Sequence, residues 1–166
     1  VRFLRAMYYY HLMDCFGNIP FLTVVSSEPA PQATRQEVYN FIESELLEIE
    51  GTMSAPMTGT YGRADQAAAW MLLARLYLNA EVYTGTAQWA KAAEYAQKIM
   101  NSAYKLHTQG SHDAVNNKDW SAYQMLFMGD NGENGAQCEA ILPLLQDGIT
   151  TTSWGTSLFL MASTFK

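Results

Sequence analysis

YGRADQAAAWMLLARLYLNAEVYTGTAQWAKAAEYAQKIMNSAYKL, residues 61–106, decides the fold. Small residues alternate with large ones in its first half: Ala64, Ala67, Ala68, Ala69 and Ala74 against Trp70, Leu73 and Tyr77. Small beside large at helical spacing lets two helices approach closely and interdigitate. The pattern predicts a helix over 63–80. A second stripe, Trp89, Ala92, Ala96 and Ile99, with Lys91, Glu94 and Lys98 outward, predicts another over 88–102. Gly85 lies in the short connector, so the two helices should form an antiparallel hairpin with Trp70 and Tyr77 inside. The spacing Trp70-x-x-Leu73-Ala74-x-x-Tyr77 is that of the first helix of a tetratricopeptide repeat. Trp70 and Trp89 both fall on core stripes.

Upstream, two more helices are expected. Residues 1–16, VRFLRAMYYYHLMDCF, are apolar on nearly every face. Leu4, Met7, Tyr8, His11 and Cys15 make one stripe, and Phe3, Tyr10 and Met13 another. A helix this apolar should be surrounded by others. His11 on such a face reads as a core histidine. Gly17, Asn18 and Pro20 end the helix. Thr34 and Glu37, three apart, form a capping box that starts a helix over 34–53. Its core stripe is Val38, Phe41, Ile42, Leu46, Ile49 and Met53, with Glu43, Glu48 and Glu50 opposite.

After Leu106 the character changes. Residues 107–120 read as a polar loop without a regular element, and 123–128 as a short helical turn. Residues 140–145 read as a strand or extended run. The fold class is therefore mainly α: tetratricopeptide-like helical hairpins over 1–106, then a loop-rich lobe with a short strand over 107–166. The chain opens mid-helix and ends at Lys166 without a closing element, which reads as an internal piece of a larger protein.

Composition limits the function. The 166 residues are 49% hydrophobic and 16% charged, enough for a real core. A net charge of −6 supplies no basic stripe for nucleic acid. Cys15 and Cys138 are the whole cysteine complement, too few for a disulfide framework or a zinc site, and read as free buried thiols. No G-x-S-x-G, H-E-x-x-H or phosphate loop occurs. A glycosidase would need two facing carboxylates in one cleft, and none are evident. These observations argue for a protein that binds rather than catalyses.

Three blocks carry a family resemblance. Residues 1–21, VRFLRAMYYYHLMDCFGNIPF, residues 61–106, and LFMGDN with EAILPLLQDGITTTSWGTSLFL, at 126–131 and 139–160, together resemble the SusD/RagB family of outer-membrane glycan-capture lipoproteins. The third block is similar to a starch-binding member in particular. The resemblance implies a helical superhelix with a variable lobe packed on it and an N-terminal lipid anchor outside this stretch. It implies capture of starch or a related α-glucan at the external face of the outer membrane, without hydrolysis. It implies a SusC-like TonB-dependent transporter as partner. A tetratricopeptide-type protein-interaction scaffold is the alternative.

The resemblance also points to site residues. It aligns Trp154, in the Thr/Ser/Gly loop 148–157, with a glycan-stacking aromatic. A ring under the C–H face of a sugar is what such binding needs physically; a Trp plugging the lobe's own core is the other reading. In the starch-binding member the loop before the strand takes part in a calcium site. Here Asp130, Asn131, Glu133 and Asn134 offer oxygen ligands at short spacing, as calcium requires, or else form a solvated turn.

Overall fold

Residues 1–145 are described by a computed structural model of the chain. The order begins α1 (Arg2–Phe16), β1 (Ile19–Pro20), β2 (Gln32–Ala33), α2 (Arg35–Glu50), α3 (Gln66–Leu78), α4 (Ala80–Thr84) and α5 (Trp89–Met100). It continues with β3 (Ser111–Asp113), β4 (Lys118–Trp120) and α6 (Ala122–Met125), then a single 3-10 turn, Ala136–Cys138. Each strand pair is a two-stranded antiparallel ribbon.

Two antiparallel helix pairs make the core. In the first, Arg2 at the start of α1 meets Glu45 and Glu48 near the end of α2, while Asn18 beyond α1 accepts from the first amide of α2, that of Arg35. In the second, Tyr77 near the end of α3 meets Lys91 near the start of α5. Ala67, Ala68 and Ala69 are buried along α3, as the small-residue pattern requires. Tyr77 is buried, and Trp70 is partly buried against the core. The Thr34–Glu37 capping box starts α2 with both of its reciprocal bonds. Gly17 ends α1 at a φ of +76°, with its amide bonded to Met13, and the Arg35 guanidinium lies where a Cβ would point. A side chain there would meet both strain and a neighbour.

The buried face of α1 is Phe3, Ala6, Tyr10 and Met13. The other apolar face stays open: Leu4, Tyr8, Leu12 and Phe16, four apart, are all exposed, and His11 with them. His11 is therefore not a core histidine. Both faces of α1 are apolar, so periodicity could not say which one α2 covers. Trp89 is likewise corrected. It is 60% exposed, while Ala92, Tyr95 and Ile99 carry the buried stripe of α5. Periodicity assigns a residue to a face, but none of the described residues covers the first turn of that face. Cys15 is exposed and Cys138 half-buried, both unbridged, so neither is the deeply buried thiol expected.

The lobe also departs from expectation in two places. Residues 111–120 form a hairpin, not an irregular loop. Asp113 accepts from the amides of Val115 and Asn116, and Asn117 adopts a left-handed φ of +48°. An Asp–Asn turn of this kind closes a hairpin without any hydrophobic pattern in its strands. Gly110 is needed beside it, because a Cβ there would lie 2.5 Å from the carbonyl oxygen of Trp120. Residues 140–145 form no strand. Ile141 and Leu142 instead lie against the helical core, so the apolar run is spent on packing, with no strand pairing.

Glu45 ties the first pair together. It is buried, and its carboxylate accepts from Arg2 Nε and Nη2 and from Arg5 Nη2 at 2.6–3.1 Å. Bonding from Arg2, above all, and from Arg5 outweighs desolvation and holds its pKa at about 2, below the ordinary 4.5. A depressed folded pKa adds stability that is present above pH 4.5 and disappears as pH falls through about 2. Glu45→Ala is expected to cost about 1–3 kcal/mol at neutral pH by leaving the arginine donors unpaired. Urea denaturation at pH 7 and pH 2.5 checks this: the gap between variant and parent should shrink at the lower pH.

Candidate functional site

Of the residues singled out in the sequence, Trp154 lies outside the described residues. The turn Asp130, Asn131, Glu133 and Asn134 is described, and hydrogen bonds fix its shape. Asn131 Nδ2 donates to the carbonyl of Leu126 at 2.8 Å, and Asn134 Nδ2 to that of Met125 at 3.1 Å. Asn134 Nδ2 also reaches Asp130 Oδ1 at 3.1 Å, and Asn134 Oδ1 accepts from the amide of Ala136. The two asparagines thus tie the turn to the end of α6. Asp130 and Glu133 remain exposed. Among the described residues no group of three His, Cys, Asp or Glu side chains is arranged to hold a metal.

A groove of about 790 Å3 opens between this turn, α6 and the β3–β4 hairpin. Its frame follows from local sequence. Ser121 caps α6, its hydroxyl taking the amide of Gln124 while Gln124 Oε1 takes the amide of Ser121. This capping box orients a single turn of helix, with Met125 buried beneath and Tyr123 on the outside. Phe127 follows four residues on. The Tyr123 and Phe127 rings pack at 5.1 Å between centroids, 64° apart in plane. Trp120, at the end of β4, is half-buried, with the Lys118 ammonium 3.8 Å over its ring. Sequence reasoning placed a helical turn here but drew no functional meaning from Tyr123 and Phe127. The available signal was an aromatic pair at i, i+4 on a short helical turn flanked by polar loops.

A second cleft, about 800 Å3, lies where loop 51–64 meets the lobe. Asp65 organises it. Its carboxylate caps α3 through the amide of Ala68, accepts from the amide of Met57, and accepts from the Tyr104 hydroxyl at 2.9 Å. Tyr104 also reaches the carbonyl of Ile141, which joins the helical pair to the lobe. Burial, and then the bond to Asp65, push the Tyr104 hydroxyl well above its usual pKa, so it stays a donor. A family described as "Starch-binding associating with outer membrane" matches this sequence over residues 2–78. The starch-binding protein SusD of Bacteroides thetaiotaomicron is 46% identical over 165 residues, 99% of this chain.

The chain belongs to the SusD-like family.

The chain spans 28% of the length of that relative. Among solved structures, the surface glycan-binding protein A of Bacteroides uniformis superposes with a TM-score of 0.53 at 31% identity, over 63% of this chain and 24% of the other. A SusD-like protein of Bacteroides fragilis superposes with a TM-score of 0.59 over 81% of this chain and 24% of the other. At 21% identity the latter speaks for the fold alone. The mainly helical architecture expected from the sequence is that of SusD-like structures.

Asp65 is the residue of this SusD-like chain whose loss should loosen helices and lobe together. Asp65→Ala removes a cap and leaves a buried amide and hydroxyl without their acceptor, for a cost of about 2–4 kcal/mol. Asp65→Asn keeps an acceptor for one of them and should cost less. Chemical denaturation of the three proteins, with far-ultraviolet circular dichroism, measures both.

Proposed function

We propose that the protein containing this chain captures starch or a related α-glucan at the external face of the outer membrane, without hydrolysing it. It would then pass oligosaccharide to a SusC-like TonB-dependent transporter. The observation that carries this reading is the extent of the likeness to a starch-binding protein: 46% identity over 99% of the chain. The family match ends at residue 78, within the helical scaffold, but the identity to the starch-binding relative continues through the loop-rich part. A scaffold alone would argue only for the fold. In this division of labour residues 1–106 supply the helical support and residues 107–166 begin the glycan-binding lobe. The absence of nucleophile motifs from the sequence agrees with binding as the whole of its chemistry.

Trp154 is the proposed stacking residue within the lobe, since its immediate neighbours, Thr150 to Ser153 and Gly155, cannot bury an indole locally. Trp154→Ala in the full-length protein should weaken starch binding by about 1–3 kcal/mol, as for loss of an aromatic anchor. Stability should change by less than about 1 kcal/mol. Titration calorimetry and a thermal melt on one preparation decide it: a much lower melting temperature with unchanged affinity would make Trp154 a core residue.

Calcium remains part of the proposal at Asp130, Asn131, Glu133 and Asn134. Asp130 and Glu133 are exposed and three residues apart, while the asparagine amides already serve the turn. Binding here would take the two carboxylates plus carbonyl oxygens. Calcium should then raise the melting temperature of the full-length protein relative to a chelator-treated sample, and Asp130→Asn should abolish the rise.

A further inference from the structure

The geometry points to a second glycan subsite, formed by Tyr123 and Phe127 with Gln124 and Asp130 on its rim, additional to Trp154. It rests on the reading of the protein as a glucan binder and names where a further part of that contact lies.

Tyr123 is 70% exposed and Phe127 72%. Large rings displayed to this degree run against the hydrophobic effect. Their exposure is not the result of a loose segment. Met125 between them is 5% exposed and anchors α6 from beneath. The capping box fixes the start of α6, and Asn131 and Asn134 bind the carbonyls at its end. The rings therefore stand on a frame held at both ends, which lowers the entropy lost when a ligand is ordered on them. Their planes differ by 64°, so together they offer a bent apolar surface.

The rim has the complementary chemistry. Gln124 uses its Oε1 in the capping box, and its Nε2 makes no hydrogen bond among the described residues. Asp130 Oδ1 accepts from Asn134, and Oδ2 is likewise unengaged among them, so in the calcium-free protein it is open to a sugar hydroxyl. The groove thus holds an open donor, an open acceptor and two ring faces within one concavity of about 790 Å3. A pyranose matches it: C–H groups on the ring faces, hydroxyls on the amide and the carboxylate. Asp113 and Asp130 line the same groove, and a negative lining disfavours phosphorylated or uronic acid ligands, so the ligand class is a neutral oligosaccharide. The Lys118 ammonium covers one face of Trp120, which leaves Tyr123 and Phe127 as the open platform.

The test uses the full-length protein, titrated with soluble starch and with maltohexaose. The double variant Tyr123→Ala/Phe127→Ala should bind starch about tenfold more weakly, the scale of losing one aromatic anchor. Its melting temperature should stay within about 2 °C of the parent, as for exposed substitutions. Tyr123→Phe/Phe127→Tyr, which keeps both rings, should recover most of the affinity that the double alanine variant loses. Added to Trp154→Ala, the double alanine variant should weaken binding further, because two subsites contribute separately. Parental affinity in the double alanine variant overturns the subsite. So does a much lower melting temperature with parental affinity in the folded fraction, since the rings would then seat another part of the protein. A ring-keeping variant that binds as weakly as the double alanine variant also overturns it. If Trp154→Ala weakens binding and the double alanine variant does not, this subsite alone fails. If the parent protein binds neither starch nor maltohexaose, the glucan reading fails and takes the subsite with it.

Discussion

The run of small residues at the start of α3, buried on successive sides of the helix, is the constraint on which the rest depends. Ala67, Ala68 and Ala69 are all buried, so α3 presents little more than backbone and methyl groups where its neighbours press on it. Helix separation is set by side-chain size at the contact. A larger residue there would push α2 or α5 away and strip contacts from Leu72, Leu73 and Leu76, which are buried on the same helix. The cost would be overpacking, a penalty of the order of 1–3 kcal/mol per site. Through its cap α3 also carries the carboxylate of Asp65, which accepts from the Tyr104 hydroxyl beside the lobe.

Around that apolar centre the helices are registered by tyrosine hydroxyls donated to carboxylates on other elements. Tyr77 gives to Glu43 at 2.8 Å, Tyr83 to Asp14 at 2.6 Å, Tyr95 to Glu50 at 3.3 Å and Tyr104 to Asp65 at 2.9 Å. A ring fills space without polar demand except at its tip, and the tip must find a partner when buried. Each such bond therefore fixes where along its neighbour a helix sits, which pure hydrocarbon packing leaves freer. Burial drives the Tyr77, Tyr83 and Tyr104 hydroxyls far above their usual range and that of Tyr95 up to about 12, so all four remain protonated donors. Glu43 and Glu50 show why charge on a helix does not always mean a solvated face. Both were assigned to the outer side of α2, and both accept from a tyrosine of the second helix pair.

The helical part was legible because its signals are local and repeated. The Thr34–Glu37 box, the Gly17 stop and the Ala/Leu alternation of α3 each encode their own geometry. What failed were assignments that depend on a neighbour. Trp89 and His11 were given to the core from periodicity alone, and periodicity does not say whether a face is covered. The hairpin at 111–120 was hidden for another reason. Its strands are SHD and KDW, without apolar alternation, and only the turn chemistry of Asp113 to Asn117 specifies it. The groove beside it was not legible at all: 123–128 reads only as a short helical turn, and the exposure of Tyr123 and Phe127 is a property of the folded chain.

The open row on α1 has a consequence for the newborn chain. Leu4, Tyr8, Leu12 and Phe16 run along roughly 18 Å of helix surface. The opposite face of the same helix needs α2, which follows it in chain order and begins only at Arg35. During synthesis α1 therefore leaves the ribosome with the face that α2 covers still open. Growing chains with such surface are bound by holdases or cluster with one another.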